Sequence, residues 1–323
     1  MLSRRDVLRG TAITGAAALA RPLTTLLASA SQPSAPVNFD VPPGACDCHT
    51  HVFGDPRRFP FAPSRVYTPE SASVKEMRAL HRALHTDRVV IVQPSVYGTD
   101  NSCTLDGIRQ LGSIARGVAV IDEKTPDSAL DEMSRAGVRG IRLNLVDSMA
   151  QLDLDHVHHV FQTAVDRVKS RNWHIQIFTH LPVIQGLADQ VMASPVPVVF
   201  DHFGGVKASL GTEQPGFDTL LSLVRSGKAY AKISGAYRCS TQGPDYPNMV
   251  PFAKALIAAN LQRIVWGTDW PHPAQEPGRK PTEITPLFQI DDGRLFNQLP
   301  VWAPDPAQRK AILVDNPARL YGY

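Results

Sequence analysis

Two short segments far apart in the chain carry residue types suited to hydrolysis. Residues 47–51 read Asp-Cys-His-Thr-His, and residues 267–272 read Gly-Thr-Asp-Trp-Pro-His. His49 and His51 would lie at the end of an early strand, and Asp269 at the end of a late one. Two imidazoles and a carboxylate brought together in this way would make a hydrolytic site, provided that the chain closes into a barrel.

The alternation of a β-strand divides the first segment between two faces. Successive side chains point to opposite sides, so Asp47, His49 and His51 are expected to share one face. The other face, toward the helix layer, would carry Cys46, Cys48 and Thr50. Only four cysteines occur in 323 residues, too few for a disulfide framework, so Cys46 and Cys48 are expected to pack as small apolar groups.

Short apolar segments alternate with longer helical patterns from residue 45 onward, which predicts parallel βα units. The predicted strands, eight as a closed barrel needs, are Ala45–His51, Arg88–Gln93, Gly117–Ile121, Gly140–Leu145, His174–Thr179, Val198–Asp201, Ala229–Ser234 and Ile264–Gly267. The predicted helices include Val74–His85, Ser128–Ala136, Asp155–Arg171, Pro182–Met192, Phe217–Ser226, Tyr246–Ala259 and Pro306–Leu313. The fold class is therefore α/β, a single (β/α)8 TIM-like barrel over residues 45–323.

Two loops are long for a compact domain, residues 51–73 and 272–304, and both are rich in aromatic residues. Loops of this length often form lids or binding walls. Their aromatic side chains would equally serve to pin the loops onto the barrel, and both uses can hold together.

The carboxyl ends of the strands carry further candidate residues, because the chemistry of such barrels sits there. The apolar residues of the fourth strand alternate with Arg142 and Asn144, so these two would face the barrel interior. A buried guanidinium needs a partner, and a substrate carboxylate is the natural one. Other strand ends contribute Gln93, Ser95, Tyr97, Gln176, His180, Asp201, His202, Tyr237 and Arg238.

Residues 1–30 predict a cleaved export signal. Residues 3–9 read Ser-Arg-Arg-Asp-Val-Leu-Arg, which resembles a twin-arginine motif, and an Ala-Ser-Ala cleavage signal ends at Ala30. The apolar stretch between them is too short to span a membrane, so no stable membrane anchor is expected. Cleavage near Ala30 would leave residues 31–44 as a Pro- and Ser-rich linker. The barrel would be periplasmic, with the twin-arginine export machinery as a partner.

The charge balance argues against nucleic acid as a partner. Residues 1–30 hold four of the 33 basic residues and one of the 30 acidic residues, so residues 31–323 hold 29 of each. A nucleic-acid-binding protein needs a basic patch in its folded part, and this balance predicts none.

Residues 45–323 resemble the amidohydrolase superfamily, in its amidohydrolase-related branch. The resemblance rests on D-x-H-x-H at 47–51, Gly-Ile-Arg-Leu-Asn at 140–144, Asp-His-Phe-Gly at 201–204, the segment 267–272, and the closing segment 312–321. Within the branch, the chain is most similar to the 2-pyrone-4,6-dicarboxylate hydrolase and sugar-lactonase group. This resemblance implies a TIM-like barrel and hydrolysis of a lactone, often one that carries a carboxylate.

The resemblance also implies roles for the site residues. Asp269 would be the general base that takes a proton from the attacking water. His49, His51 and Arg238 would polarise the lactone carbonyl and stabilise the oxyanion. His202 would support Asp269 or the carbonyl. The residues expected to bind the substrate, an acidic lactone, are Arg142, Tyr67, Ser95, Asn144 and Gln176.

Two departures from this group leave the substrate and the metal open. The pyrone hydrolases are expected to carry a second basic residue after the strand-four Arg, whereas residues 146–148 read Val-Asp-Ser here, which favours a mono-acid or sugar-type lactone. Metal-dependent members place a zinc ligand at the position of His180. One divalent metal, zinc by preference, could therefore be held by His49, His51, His180 and Asp269, and it would lower the pKa of the attacking water. The pyrone hydrolases look metal-free, so the sequence allows no metal or one.

Two alternatives to lactone hydrolysis stand beside it. A metal-dependent decarboxylase of the same superfamily would also use the paired histidines and Asp269, although Arg238 suits a lactone carbonyl better. A non-catalytic periplasmic binding barrel would have lost the base or the histidines, and the sequence keeps both.

Overall fold

The computed structural model describes residues 30–146 and 153–323, which form a barrel of eight parallel strands. The strands, β1 to β8 in chain order, are Cys46–Thr50, Arg88–Val92, Ala115–Ala119, Val138–Asn144, His174–Phe178, Val198–Phe200, Ala229–Ser234 and Ile264–Gly267. Each strand pairs with its chain neighbour, and a parallel bridge between Thr50 and Trp270 joins the last strand to the first. Each strand overlaps a predicted one, so the predicted barrel is confirmed.

Helices surround the strands. Those of the described residues, α1 to α13, are Val74–Leu84, Ser102–Leu111, Asp127–Ala136, Leu154–Val168, Leu181–Gly186, Ala188–Ala193, Phe217–Arg225, Ala236–Cys239, Val250–Ala259, Asp292–Phe296, Leu299–Trp302, Pro306–Lys310 and Asn316–Tyr321. The sequence did not predict α2, whose Ser, Thr, Asp and Gly residues weaken its helical pattern. Gly107 allows α2 to pack closely against β2, because a Cβ atom at this position would lie 2.8 Å from the Ile91 side chain.

The first strand is irregular, and this changes which residues face the interior. Its register with β2 shifts between Asp47 and Thr50. Cys46 and Cys48 therefore join the apolar cluster on the inner face of the barrel, while His49 and His51 face the interior further along the strand. The expectation that the two cysteines face the helix layer is wrong. Their neighbours in this inner cluster include Val90, Val92, Val118, Val199, Tyr230 and Val265.

The two long loops contact each other and serve both expected purposes. Thr68–Pro69 of the first loop pairs in parallel with Ile284–Thr285 of the second. Tyr67 and Phe288 line a cavity. Other aromatic residues of the loops, among them Phe53, Phe296 and Trp302, are buried against the barrel.

Residues 31–44, the predicted linker, form an arm that contacts the barrel. The Trp270 indole donates a hydrogen bond of 2.9 Å to the Ser31 carbonyl, and the Ala35 N–H donates one of 3.0 Å to the Asp291 carboxylate. These bonds anchor the arm to the loop that follows β8. Of the predicted signal, only Ala30 lies within the described residues.

Among the described residues, the helices are all too short or too polar to cross a membrane.

Candidate active site

Asp269 stands at the centre of the site, just beyond the end of β8. Its Oδ1 atom is fully buried and has no hydrogen-bond partner among the described residues. This oxygen faces the Nε2 atoms of three imidazoles, which lie 3.5 Å away in His49, 3.5 Å in His51 and 3.8 Å in His202. The structure therefore brings together the carboxylate and the three histidines predicted as catalytic.

The second oxygen of Asp269 takes two donors from the segment that follows β7. The Tyr237 hydroxyl donates to Oδ2 at 2.6 Å, and the Arg238 guanidinium pairs with the same atom. This close approach depends on Gly235, where a Cβ atom would lie 2.8 Å from the His202 ring and 3.3 Å from Asp269 Oδ2. Arg238 thus joins the four other predicted catalytic residues, and Tyr237 adds a contact to which the sequence assigned no role.

Backbone bonds between β1 and the end of β8 hold Asp269 in an unusual conformation. The Asp269 N–H donates to the His49 carbonyl at 2.8 Å, and the His51 N–H donates to the Trp270 carbonyl at 2.8 Å. Asp269 has a φ angle of +67°, in the left-handed region that non-glycine residues rarely adopt. Such strain persists only where the surroundings enforce it, and it is common at functional sites.

Asp47 stabilises the junction between β1 and the end of β8 and does not face the site. Its carboxylate accepts the Thr268 N–H at 3.0 Å, the Thr268 hydroxyl at 2.7 Å and the His49 N–H at 3.1 Å. Its Oδ2 atom also lies 3.2 Å from Nε2 of His81 in α1. The prediction that Asp47 shares a face with His49 and His51 is therefore wrong, because the irregularity in β1 separates them.

A buried lysine lies on the side of His49 away from Asp269. Lys232 of β7 is fully buried, and its Nζ atom lies 2.8 Å from Gln176 Oε1, 3.2 Å from Asp201 Oδ1 and 3.2 Å from His49 Nδ1. Asp201 also accepts the Gln176 amide at 3.0 Å. Gln176, which was predicted to bind the substrate, is therefore enclosed within this network and absent from the cavity wall.

Lys232 is the main residue that the sequence reading missed. The signal was present, since Ala229, Ala231 and Ile233 of β7 alternate with Tyr230, Lys232 and Ser234. The same alternation had placed Arg142 inside the barrel. Applied to β7, it would have placed the lysine there as well.

Burial keeps the three histidines around Asp269 neutral near pH 7. It lowers the pKa of His49 well below 6.5, lowers the pKa of His51, and lowers the pKa of His202 to about 4. The Val92 carbonyl, which can only accept, lies 2.8 Å from His51 Nδ1. His51 therefore carries its proton on Nδ1 and presents a lone pair on Nε2 to Asp269.

Fixed cations keep the two buried carboxylates ionised. Burial alone would raise the pKa of Asp269, but the Arg238 guanidinium beside it holds that pKa well below 3.8. Burial is likewise overcome at Asp201, where Lys232 is the strongest of the groups that hold the pKa well below 3.8. Both aspartates are therefore anions across the physiological pH range.

A cavity of about 430 Å³ is bordered by Asp269 and His51. Its wall includes four of the five residues predicted to bind the substrate, namely Arg142, Asn144, Tyr67 and Ser95. Arg142 is only 9% exposed; its Nε atom lies 3.4 Å from Asp201 Oδ2, and its guanidinium sits 5.1 Å from the centre of the Phe178 ring. Its remaining donors can reach a ligand in the cavity.

Arg65 is a third cation of the cavity wall, beside Arg142 and Arg238, and the sequence did not point to it. Its Nε atom donates to the Thr68 hydroxyl at 2.7 Å, and one terminal nitrogen donates to the Ala62 carbonyl at 3.1 Å. It makes no ion pair with any of residues 30–146 and 153–323. Of the segment after β4 that lacks a second basic residue, residues 147 and 148 lie outside the described residues.

His180, predicted as a metal ligand, does not join the cluster. Two groups of described residues have ligand atoms within 4.8 Å of one another, one made of His49, His51 and Asp269, and the other of His49, Asp201 and His202. His180 instead lies immediately before α5, as its N-cap residue, and its Nδ1 atom faces Gly205. Of the four predicted metal ligands, His180 is therefore the one that the structure does not bring to the cluster.

The surroundings of the first group oppose a divalent cation, although the spacing of its donor atoms would suit one. The Lys232 ammonium lies 3.2 Å from His49 Nδ1, and Arg238 is paired with Asp269 Oδ2, so a fixed positive charge lies on the far side of two of the three residues. A metal ion would be repelled by both at short range. The donor spacing of this group therefore makes it a candidate for a metal, and the two cations beside it disfavour one.

Comparison with known proteins finds relatives that match most of the chain. Residues 46–323 match the family model described as amidohydrolase. The 4-sulfomuconolactone hydrolase of Rhizobium radiobacter is 36% identical over 292 residues, covering 90% of this chain and 93% of that protein. The 2-pyrone-4,6-dicarboxylate hydrolase of Comamonas testosteroni is 35% identical over 300 residues, covering 90% and 94%.

A solved structure shares both the fold and part of the sequence. It comes from Pseudomonas putida and is described as a candidate 2-pyrone-4,6-dicarboxylic acid hydrolase. It is 32% identical, has a TM-score of 0.71, and covers 86% of this chain and 97% of its own. The family match spans nearly all of the barrel, and the relatives match over nine tenths of the chain. The protein therefore belongs to the amidohydrolase family and is a hydrolase.

Proposed function

We propose that this hydrolase opens the ring of a lactone that carries an anionic group. The observation that carries the proposal is the buried Oδ1 atom of Asp269, which has no hydrogen-bond partner in residues 30–146 and 153–323. Asp269 borders a cavity whose wall also holds Arg142, Arg65 and Arg238. An ionised carboxylate oxygen without a partner suits a general base, and a wall with three guanidiniums suits an anionic substrate. The hydrolase relatives argue against the non-catalytic binding barrel.

Asp269 and His51 together would hold the attacking water. His51 Nε2 and Asp269 Oδ1 lie 3.5 Å apart, and both are acceptors. A water molecule that donates one hydrogen to each would satisfy both atoms. In this arrangement the water proton passes to Asp269 Oδ1 as the water oxygen bonds to the lactone carbonyl carbon.

The carbonyl oxygen becomes an oxyanion in this step and needs donors. His49 and Arg238 lie on either side of Asp269, and we assign this role to them. Collapse of the tetrahedral intermediate then breaks the ring C–O bond. The proton held by Asp269 returns to the departing ring oxygen, which restores the carboxylate.

Arg238 has a second effect in this mechanism, on the strength of the base. While the guanidinium pairs with Oδ2, it holds the pKa of Asp269 low and weakens the carboxylate as a base. Donation from Arg238 to the substrate oxyanion would loosen that pair. The basicity of Asp269 would therefore rise when the substrate is in place.

The anionic group of the substrate would bind to Arg142, with Tyr67, Ser95 and Asn144 beside it. Arg65 could take a second anionic group. A doubly anionic lactone is therefore compatible with this cavity, contrary to the reading of residues 146–148 alone. The relatives named for 4-sulfomuconolactone and 2-pyrone-4,6-dicarboxylate act on acidic lactones, which supports the same class of substrate.

Hydrolysis of a lactone panel by residues 31–323, followed with a pH indicator in the presence and absence of a chelator, tests the proposal. We expect turnover of acidic lactones that survives the chelator, and little turnover of uncharged ones. Activity lost to the chelator and restored by zinc would overturn the metal-free mechanism. No turnover of any lactone would overturn lactone hydrolysis and favour the decarboxylase, although that enzyme would lack its metal ligand at His180.

We also propose that residues 1–30 direct export through the twin-arginine machinery to the periplasm. The support is the motif at residues 3–9 and the cleavage signal that ends at Ala30.

A further inference from the structure

Lys232 has as many neighbouring acceptors as it has protons to donate. An ammonium group carries three N–H donors and has no acceptor. Within the described residues, the acceptor atoms around Nζ are Gln176 Oε1 at 2.8 Å, Asp201 Oδ1 at 3.2 Å and His49 Nδ1 at 3.2 Å. Lys232 is fully buried, so no bulk water can replace any of them.

The match between the three Lys232 donors and the three acceptors around them indicates which nitrogen of His49 carries the proton. A proton on Nδ1 would point at the ammonium and leave one Lys232 donor buried without a partner, which is costly. Asp201 Oδ1 lies 3.3 Å from the same nitrogen and could accept a proton from it. Asp201 has other groups beside it: the Gln176 amide donates to Oδ2 at 3.0 Å, Arg142 Nε lies 3.4 Å from Oδ2, and the Lys232 ammonium forms an ion pair of 3.2 Å with Oδ1. Oδ1 has no hydrogen-bond partner among the described residues, but the ammonium charge stabilises it. Lys232 has no further acceptor among the described residues, so its acceptor at His49 Nδ1 is the harder one to replace.

We infer that Lys232 is a positioning residue that fixes His49 with its proton on Nε2, so that His49 donates a hydrogen bond to the reacting carbonyl oxygen. His51 has the opposite arrangement, because the Val92 carbonyl holds its proton on Nδ1. The two histidines of one motif thus have opposite tautomers. His49 is a donor on the oxyanion side, and His51 is an acceptor on the water side. Only the catalytic consequence for His49 rests on the proposed function.

The same arrangement disagrees with a metal at this site. A histidine binds a metal through a nitrogen lone pair. In His49 the nitrogen nearest Asp269 carries the proton, and the lone pair faces Lys232. His49 could therefore join a metal site only if Lys232 lost its hold on Nδ1.

Nitrogen chemical shifts of the histidine rings test the assignment directly. The protein would be labelled with ¹⁵N-histidine, and the signals of His49 and His51 would be identified by their loss in His49→Asn and His51→Asn. We expect a protonated Nε2 in His49 and a protonated Nδ1 in His51, both unchanged by added zinc. A protonated Nδ1 in His49, or zinc-induced shifts of both rings, would overturn the inference.

Lys232→Met supplies the second measurement. Asp201 would then be the remaining neighbour of His49 Nδ1, so the His49 proton should move to Nδ1 and Nε2 should gain a lone pair. We expect kcat to fall about 10²–10³-fold with KM nearly unchanged, as for a lost oxyanion donor. We also expect zinc to be retained after dialysis by the variant but not by the wild type. An unchanged His49 tautomer in the folded variant would overturn the role of Lys232.

These readouts keep the inference separate from the proposed function. The tautomers and the zinc content can be measured on a protein that hydrolyses no lactone. If Lys232→Met does not fold, the wild-type chemical shifts still decide the tautomer of His49.

Discussion

Replacement of Asp269 by Asn should remove the catalytic base while keeping the shape of the site. The amide has nearly the same volume as the carboxylate, and its oxygen can still accept from Tyr237 and Arg238, which both reach Oδ2. The amide nitrogen would then take the position of Oδ1, which faces His49 and His51 at 3.5 Å. An amide nitrogen cannot take a proton from water.

The expected loss of activity is large, and the expected loss of stability is small. A general base contributes roughly 10²–10⁴-fold to the rate, so kcat/KM should fall by about that factor. The charge-assisted bond from Arg238 becomes an ordinary one, which should cost roughly 1–2 kcal/mol of unfolding free energy. The variant should still fold, so the activity loss would reflect chemistry.

Asp292→Asn is a matched control. Asp292 is also fully buried, and its Oδ2 atom lies 3.0 Å from Nε2 of His272. It does not border the cavity. The same substitution should therefore lower the unfolding free energy by a similar amount and leave kcat/KM within about threefold, less than 1 kcal/mol in the barrier.

The assay is steady-state hydrolysis of the best acidic lactone, together with chemical denaturation of both variants. The reasoning would be refuted if folded Asp269→Asn kept kcat/KM within tenfold of the wild type. It would also fail if Asp292→Asn lost as much activity as Asp269→Asn, since the effect would then follow from a disturbed loop.

Three further predictions concern binding, stability and export. Arg142→Met should raise KM for an acidic lactone at least about tenfold with little change in kcat; an unchanged KM would show that Arg142 is not the anchor. Burial lowers the pKa of His174 to about 3, and the unfolded chain takes up that proton from pH 6.5 downward, so stability falls as the pH drops from 6.5 to 3. In His174→Phe the free energy of unfolding should fall less steeply with falling pH, by about 1.4 kcal/mol per pH unit, when measured by denaturation between pH 4 and 7. An equal slope in the variant and the wild type would contradict the low pKa of His174. Changing Arg4 and Arg5 together to Lys should trap the precursor in the cytoplasm, and normal periplasmic recovery in a fractionation would argue against twin-arginine export.

The fold could be predicted because barrel strands are short, apolar and regularly spaced. Each of the eight strands was located by that rhythm, and the motif residues fell at the ends where barrel chemistry occurs. Helix α2 was missed because its Ser, Thr, Asp and Gly residues make the pattern weak. Its packing against β2 through Gly107 depends on tertiary space, which a local pattern does not contain.

The sequence pointed to most of the residues that the structure brings together, but it did not predict how all of them are arranged. Simple alternation placed Asp47 beside His49, and the irregularity in β1 separates them. No local pattern in residues 46–51 announces such a shift. Gln176 has the right face of β5 but is enclosed by Asp201 and Lys232, which belong to other strands. Contacts between strands decided this outcome.

The proposed reaction also changes the charge balance of the site in a way that favours turnover. Before reaction, Lys232, Arg142 and Arg238 face two buried carboxylates, Asp201 and Asp269, so the neutral carbonyl enters beside an excess of positive charge. Hydrolysis converts that carbonyl into a carboxylic acid, which loses its proton to solvent and becomes a carboxylate next to Asp269. Asp269 is again an anion, because its own proton has passed to the ring oxygen. Two like charges at such short range repel each other, more strongly in a buried site than in water. The product is therefore destabilised at the position where the substrate was held, while Arg142 binds the other end equally well in both.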